Sequence, residues 1–420
     1  MNAREFSIDI IKQLHAAGFV ALWAGGCVRD SLLDREPKDY DVATDATPDQ
    51  VRNLFSHKRT LAIGESFGVI SVLPSAASRK TGNQKLEPVE VATFRRDGGY
   101  SDGRHPDSVE YTDAREDALR RDFTINGMFF DPLKEEVIDF VSGQEDIQAG
   151  LIRAIGDPAK RIEEDKLRML RGVRFAATFD FSMEANTLAA IQQEAKQISA
   201  VSGERIGHEL QRMLAHPNKA IAAELLIVTG LLEHVLPSEL AADIETIRDP
   251  GVNQLKRLEN NQFELAVVTL LEPAMGGGEN SKLAKQCSTA LQQAWKLSND
   301  QRAAIAWIAG HWRILHSANS HPWPVIQRLL IQPTAADAVD AARAIAGESE
   351  GLGFCRDRLS WPTERLNPPP FLDGQALIAM GVQPGPDFKR VLAAVRDAQL
   401  NGQIDGPEDA ARLATKLLNE

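Results

Sequence analysis

"GGCVRDSLLDREPKDYDVAT" (residues 25–44) sets two glycines before a short helix-like run and ends with Asp39, Tyr40 and Asp41 leading into a strand-like segment. In a strand, residues two apart face the same side, so Asp39 and Asp41 project together while Tyr40 turns away. Two carboxylates so placed repel unless a proton or a cation lies between them. A hard divalent ion suits them, and Mg²⁺ typically takes one or two carboxylates together with substrate phosphates. Gly25 and Gly26 supply the other half. Lacking side chains, they let backbone N–H groups and a helix N-terminus approach an anion, and Arg29 adds a fixed positive charge nearby. Each half alone also reads as a solvated strand edge or a tight turn. Together they describe a nucleoside triphosphate site.

Outward from this stretch, "EFSIDIIKQLHAAG" has apolar residues at helical spacing and stops at Gly18, and "FVALWAGG" reads as a buried strand. "VRDSLLD" reads as a short helix, and "TPDQVRNLF" as a helix with Thr47 at the N-cap and Pro48 at its first position. "FGVISVL" and "VEVATF" predict a strand pair joined by a polar insertion, "PSAASRKTGNQKLEP", expected to be mobile. "DALRRDFTINGMFFD" and "EEVIDF" complete a small mixed α/β unit. From about residue 146 strand signals nearly vanish. "PAKRIEEDKLRMLRGVRFAATF" reads as one long amphipathic helix, and "GERIGHELQRML", "AIAAELLIVTGLLEHVL", "QFELAVVTLLE" and "QRAAIAWIAGHWRIL" as further helices. The Pro-rich "SWPTERLNPPPF" sets off a last helical segment. The expected organisation is an α/β head over 1–145 followed by helical modules over 146–218, 219–360 and 361–420.

With 420 residues, 43% apolar and 25% charged, the chain has ordinary globular composition and is long enough for several domains. No stretch approaches the roughly 18 apolar residues of a membrane span. Cys27, Cys287 and Cys355 are too scattered for a disulfide framework or a zinc site, and a cytoplasmic enzyme is expected. The net charge of −12 opposes indiscriminate binding of a polyanion, so any nucleic-acid site must be a local basic track.

"GGCVRD", "DYDVAT", "EVATFR", "DGRHP", "RRDFTINGM", "EEDKLRMLRGVRF" and "GERIGHEL" occur in the order and approximate spacing of a known family. Over roughly residues 20–215 the chain resembles class II tRNA nucleotidyltransferases and bacterial poly(A) polymerases. The resemblance implies an α+β fold class: a polymerase-β-like head with a small mixed sheet and helices, then an all-α neck, body and tail that hold RNA. It matches Asp39 and Asp41 to the metal-binding carboxylates. Glu90, which by alternation faces the same side as Ala92 and Phe94, is the candidate third acid, with a strand-edge charge as the structural alternative. The chemistry implied is two-metal catalysis, with two Mg²⁺ ions as cofactors. Arg121, Asp122 and Asn126 are matched to sugar and phosphate contacts; capping and salt-bridging is the other reading. Arg104, in the Gly-rich charged stretch "TFRRDGGYSDGRHPDSVEY", is the best-matched residue of a mobile loop that helps switch between C and A addition.

"EEDKLRMLRGVR" also has a reading from its residues. Asp165 and Arg168, at i and i+3, share a helix face, and Arg171 lies one turn further along. An acceptor beside a donor fork matches cytosine and adenine, which each offer an amino donor beside a ring-nitrogen acceptor, whereas uracil and guanine present the reverse. A surface ladder pairing Glu164 with Arg168 is the plain alternative. The resemblance implies a protein template for the incoming nucleotide. Trp295, Trp307, Trp312 and Trp323 sit at spacings that favour core packing over stacking on bases.

"FLDGQALIAMGVQPGPDFKRVLAAVRDAQLNGQI" is similar to the tail of class II CCA-adding enzymes. There the turn Gly381–Pro386 opens a helix whose N-terminus, with Lys389 and Arg390, suits a backbone phosphate. The function implied is template-independent addition of C and A to the 3′ end of tRNA from CTP and ATP, with release of pyrophosphate. Two alternatives stay open: an A-adding or poly(A)-making enzyme with the same head motifs, and a catalytically silent RNA-binding protein.

Overall fold

The structure is a computed structural model that describes residues 1–62, 67–75, 86–100, 103, 106–242, 244–278, 280–383 and 385–419. They fall into two compact units, one of Met1–Met213 with Ile221–Val235, the other of Leu214–Ala220 with Leu236–Glu420.

The first unit opens with helix α1 (Ala3–Ala16), started by a reciprocal cap between Asn2 and Glu5 and followed by Gly18 at φ +88°. Strand β1 (Ala21–Ala24), helix α2 (Gly26–Leu32), strand β2 (Val42–Thr44) and helix α3 (Pro48–Phe55) follow, α3 being capped by Thr47 and Gln50 with Pro48 at its start. Next come β3 (Thr60–Leu61), β4 (Val69–Val72), β5 (Val89–Thr93), β6 (Arg95–Asp97) and β7 (Val109–Tyr111). Helix α4 (Ala114–Leu119), β8 (Phe129–Asp131), β9 (Glu136–Ile138) and helix α5 (Gly143–Gln148) complete the head. Among the described residues seven strands form one mixed sheet in the order β3-β4-β5-β2-β1-β8-β9. Only β2 and β5 run parallel, with Val42 opposite Val91, and the remaining pairs are antiparallel.

One face of this sheet buries Trp23, Val42, Ile70 and Val91 against Phe6, Ile10 and Leu14 of α1 and Val51 and Phe55 of α3. The other face, carrying Leu22, Ala24 and Ala43, meets Phe94, Ala118 and Phe129. This alternation gives β1 and β2 apolar residues on both sides, which is why they read as continuous hydrophobic runs.

Beyond the head, α6 (Pro158–Glu164), α7 (Arg168–Phe179), α8 (Ala185–Glu194) and α9 (Gly203–Leu214) lead out of the unit. The single long helix expected over 158–179 is two helices. Asp165 leaves helical geometry at φ −147°, and its side chain accepts from the Leu167 N–H at 3.0 Å, a local bond that competes with continuing the helix. Strand β2 begins at Val42, later than "DYDVAT" suggested, yet the pairing reaches Asp41, whose carbonyl accepts from the Ala24 N–H at 3.0 Å. The stretch expected as a mobile loop after residue 93 contains the antiparallel pair β6–β7. Its residues Ser101, Asp102, Arg104 and His105, and most of the 74–88 insertion, lie outside the described residues.

The second unit is helical among its described residues. Ser281–Trp295 packs along Asn299–His316, which in turn meets Ala335–Ala346. Trp295 and Trp312 are buried, as their spacing suggested. The run "AIAAELLIVTGLLEHVL", which over Ile221–Val235 belongs to the first unit, breaks at Gly230, φ +74°, into Lys219–Val228 and Leu231–Val235. Ile244–Arg257, which no apolar periodicity marked, is helical with Pro250 inside it. The tail helices Gly374–Ala379, Pro386–Leu400 and Pro407–Leu418 share a core of Leu377, Val391, Val395 and Ala410. Arg390 there is tied to Asp387 and to the Leu417 carbonyl.

Candidate active site

A cavity of about 510 Å³ opens on the sheet face away from α1 and α3. Its floor is Ala24, Ala43 and Ala92, side chains small enough to let a ligand lie close to the sheet. Gly25, between β1 and α2, has φ +70°, and a Cβ placed there would stand 2.9 Å from Arg121 Nη1. A side chain at 25 would be strained and would displace that guanidinium. Its N–H donates to the Met128 carbonyl at 3.2 Å, so Gly25 supplies space rather than a free donor. Gly26, with only Arg29 Nη2 at 3.7 Å from an added Cβ, lies at the open end of the turn.

Asp41 and Glu90 enter the cavity from neighbouring strands. Tyr40 is turned inward against Trp23, ring centroids 4.8 Å apart, which leaves Asp39 and Asp41 on the exposed side as alternation required. Asp39 is not part of the cavity wall, but its charge bears on Asp41. The Asp41 carboxyl is pushed up to about 6, first by the surrounding protein and then by the charges of Asp39 and Glu90, with Arg121 opposing. Its surface is open to solvent while protein walls it on the other sides, so exposure and partial desolvation coexist. A carboxylate held unfavourably charged by two others is the environment a hard cation relieves.

Asn126 is the hub of the opposite side. Its Oδ1 accepts from Arg29 Nη1 at 2.6 Å, its Nδ2 donates to Asp122 Oδ1 at 3.1 Å, and its carbonyl accepts from Arg121 Nη1 at 3.2 Å. Asp122 is buried and also accepts from Arg171 Nε at 2.8 Å and from the Phe123 N–H at 2.8 Å. Burial alone would raise its carboxyl; Arg171 and these hydrogen bonds hold it down to about 2. Arg121 and Arg120 share Asp117, which is 2% exposed and stays below the usual carboxylate range because the two guanidiniums outweigh its burial. Phe175 underlies the wall, with Arg174, Arg29 and Arg171 at 4.1, 5.3 and 5.3 Å from its ring centre.

Asp165 and Arg168 both line the cavity, but not as a pair on one helix face. The backbone break between them separates the roles. Asp165 is gripped by Arg205 of α9, Nη1 to Oδ1 at 3.2 Å and Nη2 to Oδ2 at 2.7 Å. Arg168 reaches back to Glu164, to the Arg161 carbonyl at 2.8 Å and to the Arg120 carbonyl at 3.2 Å. The Glu164–Arg168 ladder is therefore present, and Arg168 still lines the cavity together with Asp165.

Arg104 lies outside the described residues. Apart from Asp39, the remaining candidates, Gly25, Gly26, Arg29, Asp41, Glu90, Arg121, Asp122, Asn126, Asp165, Arg168 and Arg171, converge on this one cavity. Sequence reasoning missed Asp117, Arg174, Phe175, Arg205, Glu209 and Arg212. Arg205 and Glu209 had a signal, since they sit at i and i+4 within "GERIGHEL", the spacing at which one helix face reaches two partners. Seven arginines against four carboxylates make the cavity wall net positive in a chain of net charge −12. This is the local basic track that composition demanded.

A positive wall facing crowded acids across a nucleotide-sized space is what transfer of a nucleotidyl group requires, and the class follows: this is a nucleotidyltransferase. Residues 21–153 match the model of the poly A polymerase head domain, and residues 180–242 that of the probable RNA and SrmB-binding site of polymerase A. The chain is 30% identical over 411 residues to the CCA-adding enzyme of Lactobacillus helveticus, covering 96% of this chain and 94% of that protein. It is 32% identical over 420 residues to that of Limosilactobacillus reuteri, covering 98% and 94%. It superposes on the Bacillus stearothermophilus CCA-adding enzyme in complex with CTP with a TM-score of 0.74 at 28% identity, covering 98% and 96% of the two chains. The Thermotoga maritima CCA-adding enzyme complexed with tRNA shares the fold, with a TM-score of 0.66 at 19% identity over 99% of this chain and 94% of that one. The chain belongs to the CCA-adding enzyme and bacterial poly(A) polymerase family of class II nucleotidyltransferases.

Membership implies catalysis that depends on a divalent metal ion. Among the described residues no three or more His, Cys, Asp or Glu side chains are close enough to form a closed metal cluster. The oxygen donors and the raised Asp41 carboxyl fit a hard cation nonetheless. No helix among the described residues is long and apolar enough to cross a membrane.

Proposed function

We propose that this cavity is where the chain completes the 3′ end of tRNA, with the acids at one end and Asp165 at the other dividing the work between chemistry and choice. The reaction is template-independent addition of C and A from CTP and ATP, with pyrophosphate released. The observation that carries the site reading is Asp41, crowded by Asp39 and Glu90, across the cavity from the arginine wall.

In this reading Asp39 and Asp41, with Glu90 beside them, hold two Mg²⁺ ions, which when bound supply charge neutralisation at the phosphates and an activated 3′ hydroxyl. Arg29 and Arg121 meet the triphosphate, and their guanidiniums need no reorganisation because Asn126 and Asp117 already fix them. Asp122 and Asn126 present acceptor and amide groups to the ribose. Beyond its bonds from Arg205 and the Leu167 N–H, Asp165 retains a lone pair on Oδ2, which accepts the amino group of cytosine or adenine while Arg168 donates to the ring nitrogen. Uracil and guanine set like groups against both, leaving buried polar atoms unpaired. The head, neck, body and tail divide at 145, 218 and 360, and Lys389 and Arg390 of the tail hold a tRNA phosphate. The enzyme works in the cytoplasm, as three free buried cysteines suit.

The test offers the purified protein a tRNA transcript ending at its discriminator nucleotide, with CTP, ATP or both, and sequences the products. Three added nucleotides ending in CCA support the reading. A alone, or long A tracts on any RNA, refutes it.

A further inference from the structure

Of the seven arginines lining the cavity, six have their charge answered by a carboxylate: Arg29 by Asp30, Arg120 and Arg121 by Asp117, Arg168 by Glu164, Arg171 by Asp122 and Arg174 by Glu209. The seventh, Arg212 on α9, makes no hydrogen bond or ion pair among the described residues. Its side chain is exposed to solvent at the cavity wall, and its charge acts on Arg174 in the same sense as another cation. A guanidinium with no carboxylate partner, on the wall of a polyanion site, is suited to take an anion when one enters.

Two helices say which end of the cavity it serves. Contacts between α9 and the α7 segment run in the same order along both: Arg205 meets Asp165, and further on Glu209 meets Arg174. Arg205, Glu209 and Arg212 are at i, i+4 and i+7, one helix face, so Arg212 continues this line for another turn and lies about 10 Å along the axis from Arg205. The line starts at the base-reading Asp165 and passes Arg174, which stacks on Phe175 beside Arg29. It therefore leads toward the end assigned to phosphates, an assignment that rests on the function proposed above.

We propose that Arg212 is a phosphate-binding residue of the active site, left uncommitted among the described arginines of the cavity so that it engages a phosphate when substrate enters. Its ligand is a phosphodiester or phosphoanhydride oxygen. This comes either from the incoming nucleotide or from the RNA strand, and fixed bidentate geometry makes Lys a poor replacement.

The test uses the full-length chain with Arg212→Ala and Arg212→Lys. One arm measures equilibrium binding of CTP and of CMP without RNA. The other measures KM for a tRNA transcript lacking CCA at saturating CTP, across a salt series. If the phosphate belongs to the nucleotide, Arg212→Ala weakens CTP about tenfold and leaves CMP unchanged. If it belongs to RNA, KM for the transcript rises about tenfold and the slope of log affinity on log salt falls by about one. Arg212→Lys recovers only part of the loss. Changes under twofold in both arms overturn the proposal. Retained transfer by Asp41→Asn instead overturns the underlying site assignment, so the two failures are separable.

Discussion

Arg205 grips both carboxylate oxygens of Asp165 from 40 residues further along the chain, at 3.2 and 2.7 Å. Asp165 sits in a break between two helices, where the Leu167 N–H holds one carboxylate oxygen and leaves the other to Arg205. The distant guanidinium fixes where the acceptor points, and the nucleotide selection proposed for Asp165 depends on that direction.

Arg205→Ala should therefore relax the choice of CTP and ATP over UTP and GTP by about tenfold, with the Mg²⁺-dependent step still measurable. Competition assays with all four nucleotides check this. Asp165→Ala should do the same, and the double variant should add little, because the two residues act as one unit. Unchanged selectivity in both single variants would remove the template role.

Asp41→Asn should abolish transfer and at the same time stabilise the ion-free protein. Folding raises this carboxyl from 3.8 to about 6. Its stabilising share is thus present below about pH 3.8 and lost as pH rises through about 6. Asparagine does not ionise and escapes that loss. The expected gain is about 1 kcal/mol at pH 8 in chelator, discounted for solvent around an exposed side chain, and should vanish near pH 4. Urea unfolding at the two pH values measures it.

The same carboxyl sets a pH dependence of activity. Protons compete with the cation below about pH 6, so at limiting Mg²⁺ the rate should fall through that region. Raising Mg²⁺ should move the fall to lower pH. A profile that ignores Mg²⁺ concentration would place the titrating group elsewhere.

Phe175→Leu should weaken CTP and ATP binding several-fold, since leucine keeps apolar contact but removes the ring face on which Arg29, Arg171 and Arg174 rest. Progressive fluorination of the ring at 175 should raise KM in steps while Tm stays constant. A flat series would reduce Phe175 to packing.

Asp117→Asn should cost about 3 kcal/mol of stability, because it strips Arg120 and Arg121 of their shared buried partner. Replacing it by Glu should recover part of that, and denaturant midpoints for the pair decide it.

The fold and the cavity's outline were legible because their signals are periodic or local. Alternating burial at Asp39, Tyr40 and Asp41, the Thr47–Pro48 helix start and the stop at Gly18 all follow from residues within one turn of each other. The misreadings share a different cause. The helix over 158–179 has sound amphipathic spacing, but Asp165 captures the Leu167 N–H and ends it, a side-chain event that periodicity does not register. Asp117, Glu209 and Arg212 look like ordinary helical surface charges until tertiary structure sets them against the cavity. Arg120 illustrates the point: adjacent to a predicted site residue, its partners Asp117 and Asp97 come from two different elements.

The pairing of residue 42 with residue 91 carries a consequence for biosynthesis. Asp41 and Glu90 are brought side by side by the insertion of an entire later strand, so a ribosome-bound chain ending before residue 89 lacks the full acidic nest. On the metal assignment proposed for these acids, ion capture is thereby deferred until the head has closed, and a growing polypeptide exposes no finished metal trap to the magnesium-rich surroundings in which it is made.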